Sequence, residues 1–328
     1  MASATLDLPS SEFLLPADTF DLLRCPACGG ELAVVGSEVH CAAAGCERVY
    51  PAVEGVPILV DEAHSVFSIE AFLARKATFF KPISPLREAI SRLLPTLDLN
   101  VAAHRNFARL KRELKARQSK SRVLVIGGGI LGYGMECLLD DPAIELIETA
   151  ASLGPRTRII CDGHRLPLAD ESVDCVIAQA VLEHVLDPHQ MVREIHRVLQ
   201  PNGLVYADTP FIAQVHGREY DFTRFTPLGH RRLFRMFGEL DSGISCGPAT
   251  ALAWTLRYFL LSFASGRKLR AALSGLSRLL FFWLKYADYL LANKPAALDA
   301  GMGNYFLGEK RNAPISDRDL LAQYRGGF

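Results

Sequence analysis

The sequence predicts an α/β protein built around a parallel sheet, with a small metal-clipped unit in front of it. Three observations over its 328 residues point there. Four cysteines fall in two close pairs near the start. A β-branched run at 122–126 opens directly into a glycine loop. From that loop to about residue 210, short apolar runs of strand length alternate with helical patterns, as expected of strands buried on both faces and joined by crossovers.

Composition narrows the class further. At roughly 100–200 residues per domain, the length suggests two domains or one elaborated one. Apolar residues at 49 % and charged residues at 22 % exclude disordered, collagen-like and coiled-coil chains. Lysine plus arginine (36) equals aspartate plus glutamate (36), so no global field draws the chain to nucleic acid. The opening MASATLDLPSSEFLLP lacks a basic start followed by an apolar core, so no signal peptide is expected. Arg257, Arg278 and Lys285 interrupt the long apolar stretches of 249–293, which argues against a membrane-spanning helix. Cysteine usage fits a reducing, cytoplasmic setting.

The four thiols are Cys25, Cys28, Cys41 and Cys46, giving C-x2-C, a 12-residue spacer and C-x4-C. Zinc takes four soft ligands in a tetrahedron, and two close pairs joined by a hairpin can supply them. Gly29, Gly30 and Gly45 sit where the chain must turn tightly so that N–H groups can face sulfur. The spacer ELAVVGSEVH alternates around Gly36 as two short strands. So small a unit buries little apolar surface, and ligation would supply most of its folding free energy. Four thiolates close the shell, so the zinc is read as structural rather than catalytic. With the downstream pattern Cys46-x3-Tyr50-Pro51 and EGVPILV, the stretch resembles the Trm112-like zinc ribbons, although its second pair is two residues longer than theirs. Members of that family often act as partners or appendages of methyltransferases. Residues 1–65 are assigned to this domain.

A helical linker is expected over 66–120: VFSIEAFLARKATFF, then LREAISRLL, then a helix from Val101 on. The last carries eight Lys/Arg against one Glu between Val101 and Arg122, with Phe107, Leu110 and Leu114 at helical spacing. One face packs and the basic face stays wet. An RNA contact is the alternative, though few aromatics are present to stack on bases.

Gly127, Gly129 and Gly132 satisfy G-x-G-x-x-G at the end of the first strand, which lets backbone approach a nucleotide before a helix begins. That spacing suits a dinucleotide as well as S-adenosylmethionine. Glu148, 21 residues after Gly127, could take ribose hydroxyls in either case. The next stretch of chain separates the two: Ile159-Ile160-Cys161 then Asp162, a Leu-Pro-Leu turn, the strand Val173–Ala178, Glu183-His184, an amphipathic helix, a Pro-Asn-Gly turn and another strand. From about 122 to 210 this resembles the class I S-adenosylmethionine-dependent methyltransferases of the small-molecule type, with D-x-x-x-LP, D-x-S-x-D, LEH and E-I-x-R-V-L-x-P-x-G in order.

The resemblance implies a Rossmann-like methyltransferase sheet with helices on both faces over 121–328. Gly127, Gly129 and Gly132 would lie beside the methionine part of the cofactor. Asp162 would accept from the adenine amine, with Gly163 and His164 close by. Gln179 and Ala180 would line the methyl-donating end. For the ribose the register leaves Glu148, although Ala150 stands where the family has its carboxylate. Glu183-His184 reads mainly as a packing and capping corner.

After the fifth strand, 211–237 is crowded with aromatic and polar groups and faces the expected acceptor wall. Methyl transfer from a sulfonium needs the acceptor held in line with the methyl, and a hydroxyl acceptor also needs a base near neutral pKa. His216 and His230 are candidates, with Asp221 as orienter; otherwise the segment simply packs RRLFRMF on the sheet. The family closes its sheet with an antiparallel hairpin, here 240–247 and 304–310, leaving 248–303 as a helical insertion before the last strand. The insertion is basic and amphipathic, which suits either packing on the domain or contact with a membrane or lipid-linked acceptor.

The expectation is a methyltransferase that uses S-adenosylmethionine on a small-molecule or glycan-like acceptor, at oxygen rather than nitrogen, in a tailoring pathway. Structural Zn2+ would sit in the ribbon, and nucleic acid is not expected as a partner. The rivals are a non-catalytic zinc-ribbon scaffold, an RNA methyltransferase and an NAD-dependent oxidoreductase.

Overall fold

The structure, a computed structural model, describes residues 13–76 and 93–327. Its strands are β1 (Leu32–Val35), β2 (Glu38–Cys41), β3 (Val49–Tyr50), β4 (Ala52–Val53), β5 (Val56–Leu59), β6 (Ser121–Ile126), β7 (Ile144–Ala150), β8 (Ile159–Cys161), β9 (Val173–Gln179), β10 (Leu199–Pro210), β11 (Phe237–Cys246) and β12 (Gly303–Lys310). Among the described residues, β1–β3 form a small sheet and the others one large sheet in the order β11-β12-β10-β9-β6-β7-β8-β5-β4. The strands from β10 through β9, β6, β7 and β8 to β5 pair in parallel, and both ends close with antiparallel hairpins.

The central strands are mostly apolar because each face meets a different core. On β6, Leu124 and Ile126 join a cluster with Val176, Ala178, Met191 and Ile195. Val123 and Val125 point the other way, to Phe107, Leu110 and Leu114 on the helix Ala103–Arg117. The helix Pro188–Val198 covers the first face; Pro188 occupies its first turn and the Asp187 side chain accepts from Gln190 N, which fixes where it starts. Much of the basic face of Ala103–Arg117 is paired rather than left to solvent. Lys111 and Lys115 reach Asp141, Arg109 reaches Asp241 and Arg117 reaches Glu309.

The ribbon is tied to the large sheet. β5 is buried along its whole length and pairs in parallel with β8, Ile58 opposite Ile160 and Leu59 opposite Cys161. Arg24 N donates to Pro167 O and Ala169 N to Leu22 O, so the ribbon docks on the connection between β8 and β9. The expected boundary at 65 therefore falls after two strands that extend the sheet. β11 and β12 form the closing hairpin, and 248–303 between them carries the helices Pro248–Leu261, Arg267–Phe281, Asp288–Leu291 and Pro295–Ala300.

Two helical expectations are cut short. Of the stretch 66–80, only Ile69–Leu73 is helical and 77–80 lie outside the described residues, as does most of LREAISRLL. After the glycine loop the helix covers only Glu136–Leu139, because Gly134 takes a left-handed conformation (φ +88°) against the backbone of Ala103.

Candidate active site

β6 leads to β7 and β8 on one side, and the chain then returns to place β9 on the other. This strand-order reversal opens a crevice beyond the carboxyl ends of β6 and β9, where ligands of open α/β sheets bind. A cavity of about 790 Å³ lies there. Gly127 forms its floor with φ +76°, and a Cβ at that position would come within 2.5 Å of Val181 Cγ2. Gly132 is equally tight, since a Cβ there would strike Gln179 Oε1. At both positions neighbouring side chains leave no space for a Cβ, so the loop can close against the end of β9 only as glycine. Ala180, at the end of β9, takes φ +54°, a conformation costly for a residue with a Cβ, and its N–H donates to Asp208 O.

At one end of the cavity Asp162 follows β8. Its carboxylate accepts from Ser65 Oγ (2.5 Å), His164 N (2.9 Å) and His164 Nδ1 (2.6 Å). Burial opposes ionisation, yet the hydrogen bonds from His164 and Ser65 outweigh it and hold the carboxyl below its usual range. His164 Nε2 in turn accepts from Asp187 N, so the imidazole braces Asp162 against the next loop. Ser65, Val66 and Phe67 come from the segment after the ribbon, and Phe67 stacks on Tyr220 with ring centroids 5.9 Å apart. The segment that follows the N-terminal unit therefore forms one wall of the cavity.

The other end is built by the corner after β9, the end of β10 and the loop beyond it. Glu183 is 1 % exposed, and neither carboxylate oxygen has a hydrogen-bond partner among the described residues. His216 Nε2 lies 3.5 Å from Glu183 Oε1 and His184 Nε2 lies 3.6 Å from the same oxygen. The Glu183 carboxylate raises the His216 pKa above the ordinary histidine value, with burial pulling the other way. Asp221 pairs with Arg224 and its Oδ2 accepts from the backbone of His216 and Gly217, with His216 Nδ1 3.5 Å away. Asp208 accepts from Ser245 Oγ (2.6 Å) and Asn100 Nδ2 (3.0 Å), and burial pushes its carboxyl up to about 7, with nearby Glu183 adding to the rise.

Of the residues expected at the cofactor, Gly127, Gly132, Asp162, Gly163, His164, Gln179 and Ala180 line the cavity. Gly129 lies behind the loop, next to Thr157 and Gly154. Glu148 also departs from expectation. It faces Gly128 from behind and pairs with Arg156 at 2.6 Å, while Thr149, Ala150, Ala151 and Ser152 face the cavity. His230 is corrected as an acceptor-side base. It is 2 % exposed among Phe225, Phe234 and Phe306, and burial drives its pKa down to about 3. Its position on the inner face of the helix Pro227–Leu233 makes it a core residue.

Sequence reasoning passed over Asp208, Asn100 and the Ser65–Phe67 wall, and read Glu183 as packing. A lone acid at the end of the otherwise apolar LVYADTP was the available signal for Asp208.

The second cluster lies in the ribbon. Cys25 and Cys46 sulfurs are 4.0 Å apart, Cys28 and Cys41 3.5 Å, and all four lie within 4.8 Å of one another. A tetrahedron with 2.3 Å zinc–sulfur bonds has edges of about 3.8 Å, so the set fits a zinc ion. Gly30 N points at Cys28 Sγ (3.4 Å), and a Cβ on Gly30 would collide with Ala43.

Residues 129–207 match the family model described as a methyltransferase domain. The chain is 34 % identical over 128 residues to a protein of Mycobacterium tuberculosis described as a probable S-adenosylmethionine-dependent methyltransferase, covering 36 % of this chain and 46 % of that one. It is 37 % identical over 132 residues to an uncharacterized methyltransferase of Mycolicibacterium vanbaalenii, 37 % of this chain and 51 % of that one. The chain thus spans about half the length of these curated relatives. Among solved structures, it is similar to an S-adenosylmethionine-dependent methyltransferase from Archaeoglobus fulgidus, with a TM-score of 0.37 and 14 % identity over 62 % of this chain and 92 % of that one. Residues 129–207 are thus similar to a methyltransferase domain, and they lie in an α/β sheet of Rossmann-like order with a four-cysteine unit attached at its edge.

Proposed function

We propose that the protein is an S-adenosylmethionine-dependent methyltransferase acting on the hydroxyl of a small-molecule or glycan-like acceptor. The observation that carries the reading is one cavity whose two ends differ in chemistry. The Asp162 end offers an ionised acceptor for an adenine amine, and the glycine floor admits the amino-acid part. The far end, past Gln179 and Ala180, holds Glu183, His216 and Asp208 where an acceptor would stand. S-adenosylmethionine supplies an electrophilic methyl, and the chain supplies alignment and proton removal. His216, which is partly exposed to the cavity, would take the proton, and Asp221 would hold its ring. The four cysteines would bind a structural zinc that fixes the ribbon and, through β5 and Ser65–Phe67, the cofactor wall. The salt-bridged face of Ala103–Arg117 speaks against RNA as the acceptor.

Calorimetry with S-adenosylhomocysteine tests the reading. Binding should be measurable, and Asp162→Ala should weaken it about 10- to 100-fold, the worth of a hydrogen bond to a charged group. Absence of binding, or tighter binding of NADH, would overturn it.

A peripheral contact with a membrane or lipid-linked acceptor is supported by the insertion. Phe259, Phe263, Leu279, Trp283 and Leu290 are each at least 55 % exposed there, next to exposed Arg267, Lys268 and Arg270. No helix among the described residues is long and apolar enough to cross a membrane. Co-flotation with anionic vesicles, lost in Phe263→Ser/Trp283→Ser, is the expected result; equal recovery with and without vesicles would remove this reading.

A further inference from the structure

We infer that Glu183, His184 and His216 form a second metal site, one that holds a divalent ion of the manganese-to-zinc series at the acceptor end of the cavity. The ligand atoms lie within 4.8 Å of one another. Whether the ion binds is independent of the methyl-transfer reading; what it would do there rests on that reading.

Hydrogen positions carry the argument. His184 Nδ1 lies 2.7 Å from the carbonyl oxygen of Tyr220. His216 Nδ1 lies 3.2 Å from the carbonyl oxygen of Gln214 and 3.5 Å from Asp221 Oδ2. Carbonyls and carboxylates only accept, so each Nδ1 carries the hydrogen, and in a neutral ring Nε2 presents a lone pair. Both Nε2 atoms face Glu183 Oε1, at 3.6 and 3.5 Å. Three acceptors therefore converge on one point. Imidazoles oriented through Nδ1–H to carbonyl or carboxylate, with Nε2 pointing inward, are the arrangement that prepares histidine for a metal.

The surroundings favour a cation. Glu183 is 1 % exposed with no hydrogen-bond partner on either oxygen among the described residues; its nearest partners are the two imidazole Nε2 atoms at 3.5 and 3.6 Å, and an ion between the three groups would compensate its buried charge directly. Asp208 adds a second acidic group close enough to feel Glu183. The ligands are also held in place. Phe222 N and Thr223 N donate to the Glu183 carbonyl, and Gly217 packs so tightly on His184 that a Cβ would fall 2.4 Å from its Nδ1. Two imidazoles and a carboxylate suit manganese, iron or zinc better than magnesium or calcium, which prefer all-oxygen shells.

All three ligands line the cavity, so the remaining coordination positions face the acceptor. A metal-bound acceptor hydroxyl would lose its proton to water near neutral pH. The resulting oxygen lone pair forms the bond to the methyl carbon, the carbon–sulfur bond breaks, and its electron pair returns to sulfur as the neutral thioether. With the ion bound, His216 acts as a ligand and the metal takes over the acidification.

The test titrates the protein, its ribbon already loaded with zinc, with Mn2+ and follows free Mn2+ by electron paramagnetic resonance. One Mn2+ per chain should be taken up. Glu183→Gln, which keeps the shape of the side chain, and His216→Ala, at a side chain 42 % exposed, should each weaken uptake about ten-fold or more. Circular dichroism and S-adenosylhomocysteine affinity serve as folding controls and should change little. No uptake beyond the ribbon zinc, or uptake that survives both variants, would overturn the inference. Mn2+ uptake without S-adenosylhomocysteine binding would sink the methyl-transfer reading and leave the metal site standing; the converse would sink only the metal site.

Discussion

Among the described residues the molecule carries two clusters of metal-type ligands, and their surroundings differ in every respect that separates structure from chemistry. The four cysteines come from one short hairpin unit, with Cys28 exposed and the set complete in itself. Glu183, His184 and His216 come from two separate loops at the end of the large sheet, face a cavity, and number three. Closed shells hold folds together, whereas open ones have a position left for a reactant. The ribbon nevertheless reaches the chemistry by another route. β5 extends the sheet beside β8, and soon after its end at Leu59 the chain places Val66 and Phe67 against the cavity.

The largest expected effect breaks the first half of that comparison. Cys28→Ser/Cys41→Ser removes one ligand from each pair, and zinc in isolated finger peptides contributes about 10–16 kcal/mol of apparent binding free energy that doubles as folding free energy. The ribbon should unfold, exposing 25–50 to limited proteolysis, and the melting temperature of the whole chain should fall by several degrees as β5 loses its support. Affinity for S-adenosylhomocysteine should drop with it, because Ser65 no longer holds Asp162. Unchanged proteolysis would show that the ribbon folds on its apolar contacts alone. Lost methyl transfer with undiminished cofactor affinity would give the ribbon a direct part in the reaction.

How much of this could be read from the sequence turns on what each feature depends on. β6, β7, β9 and β10 were legible because a strand covered on both faces carries runs of apolar residues, and Val123–Ile126 or Val176–Ala178 leave no other reading. The cysteine spacing was legible because ligand geometry is local. The pairing of β5 with β8 was not, since EGVPILV states that a strand is buried but not which neighbour buries it. The cavity's cofactor end could be read from motif residues that lie on strand ends. The acceptor end could not, because Glu183, Asp208 and His216 meet only through the return of the loop after β10. His230 misled for a related reason: a histidine in a helix facing phenylalanines has the same local sequence whether it lines a pocket or fills a core.

A smaller effect sharpens the second half of the comparison, by measuring how much negative charge the inner cluster gathers. The groups facing Asp208 are Ser245, Asn100 and, by its charge, Glu183, and its carboxyl stands at about 7 against 3.8 for the unperturbed group. Below about pH 4 it is protonated in both folded and unfolded chains and costs nothing. Between about pH 4 and 7 the unfolded chain releases this proton while the folded chain retains it, so stability falls across that window and levels off above it. Asp208→Asn removes the titration while its amide can still accept from Asn100 and donate to Ser245. The variant should therefore melt several degrees above the wild type at pH 8, for a difference of roughly 2–4 kcal/mol, and alongside it at pH 4. Saturating Mn2+ should narrow the gap at pH 8, since a cation on Glu183 removes the charge that helps to raise the Asp208 pKa. A gap independent of pH would mean that Asp208 stays ionised in the fold, and that the acceptor end is wetter than its burial implies.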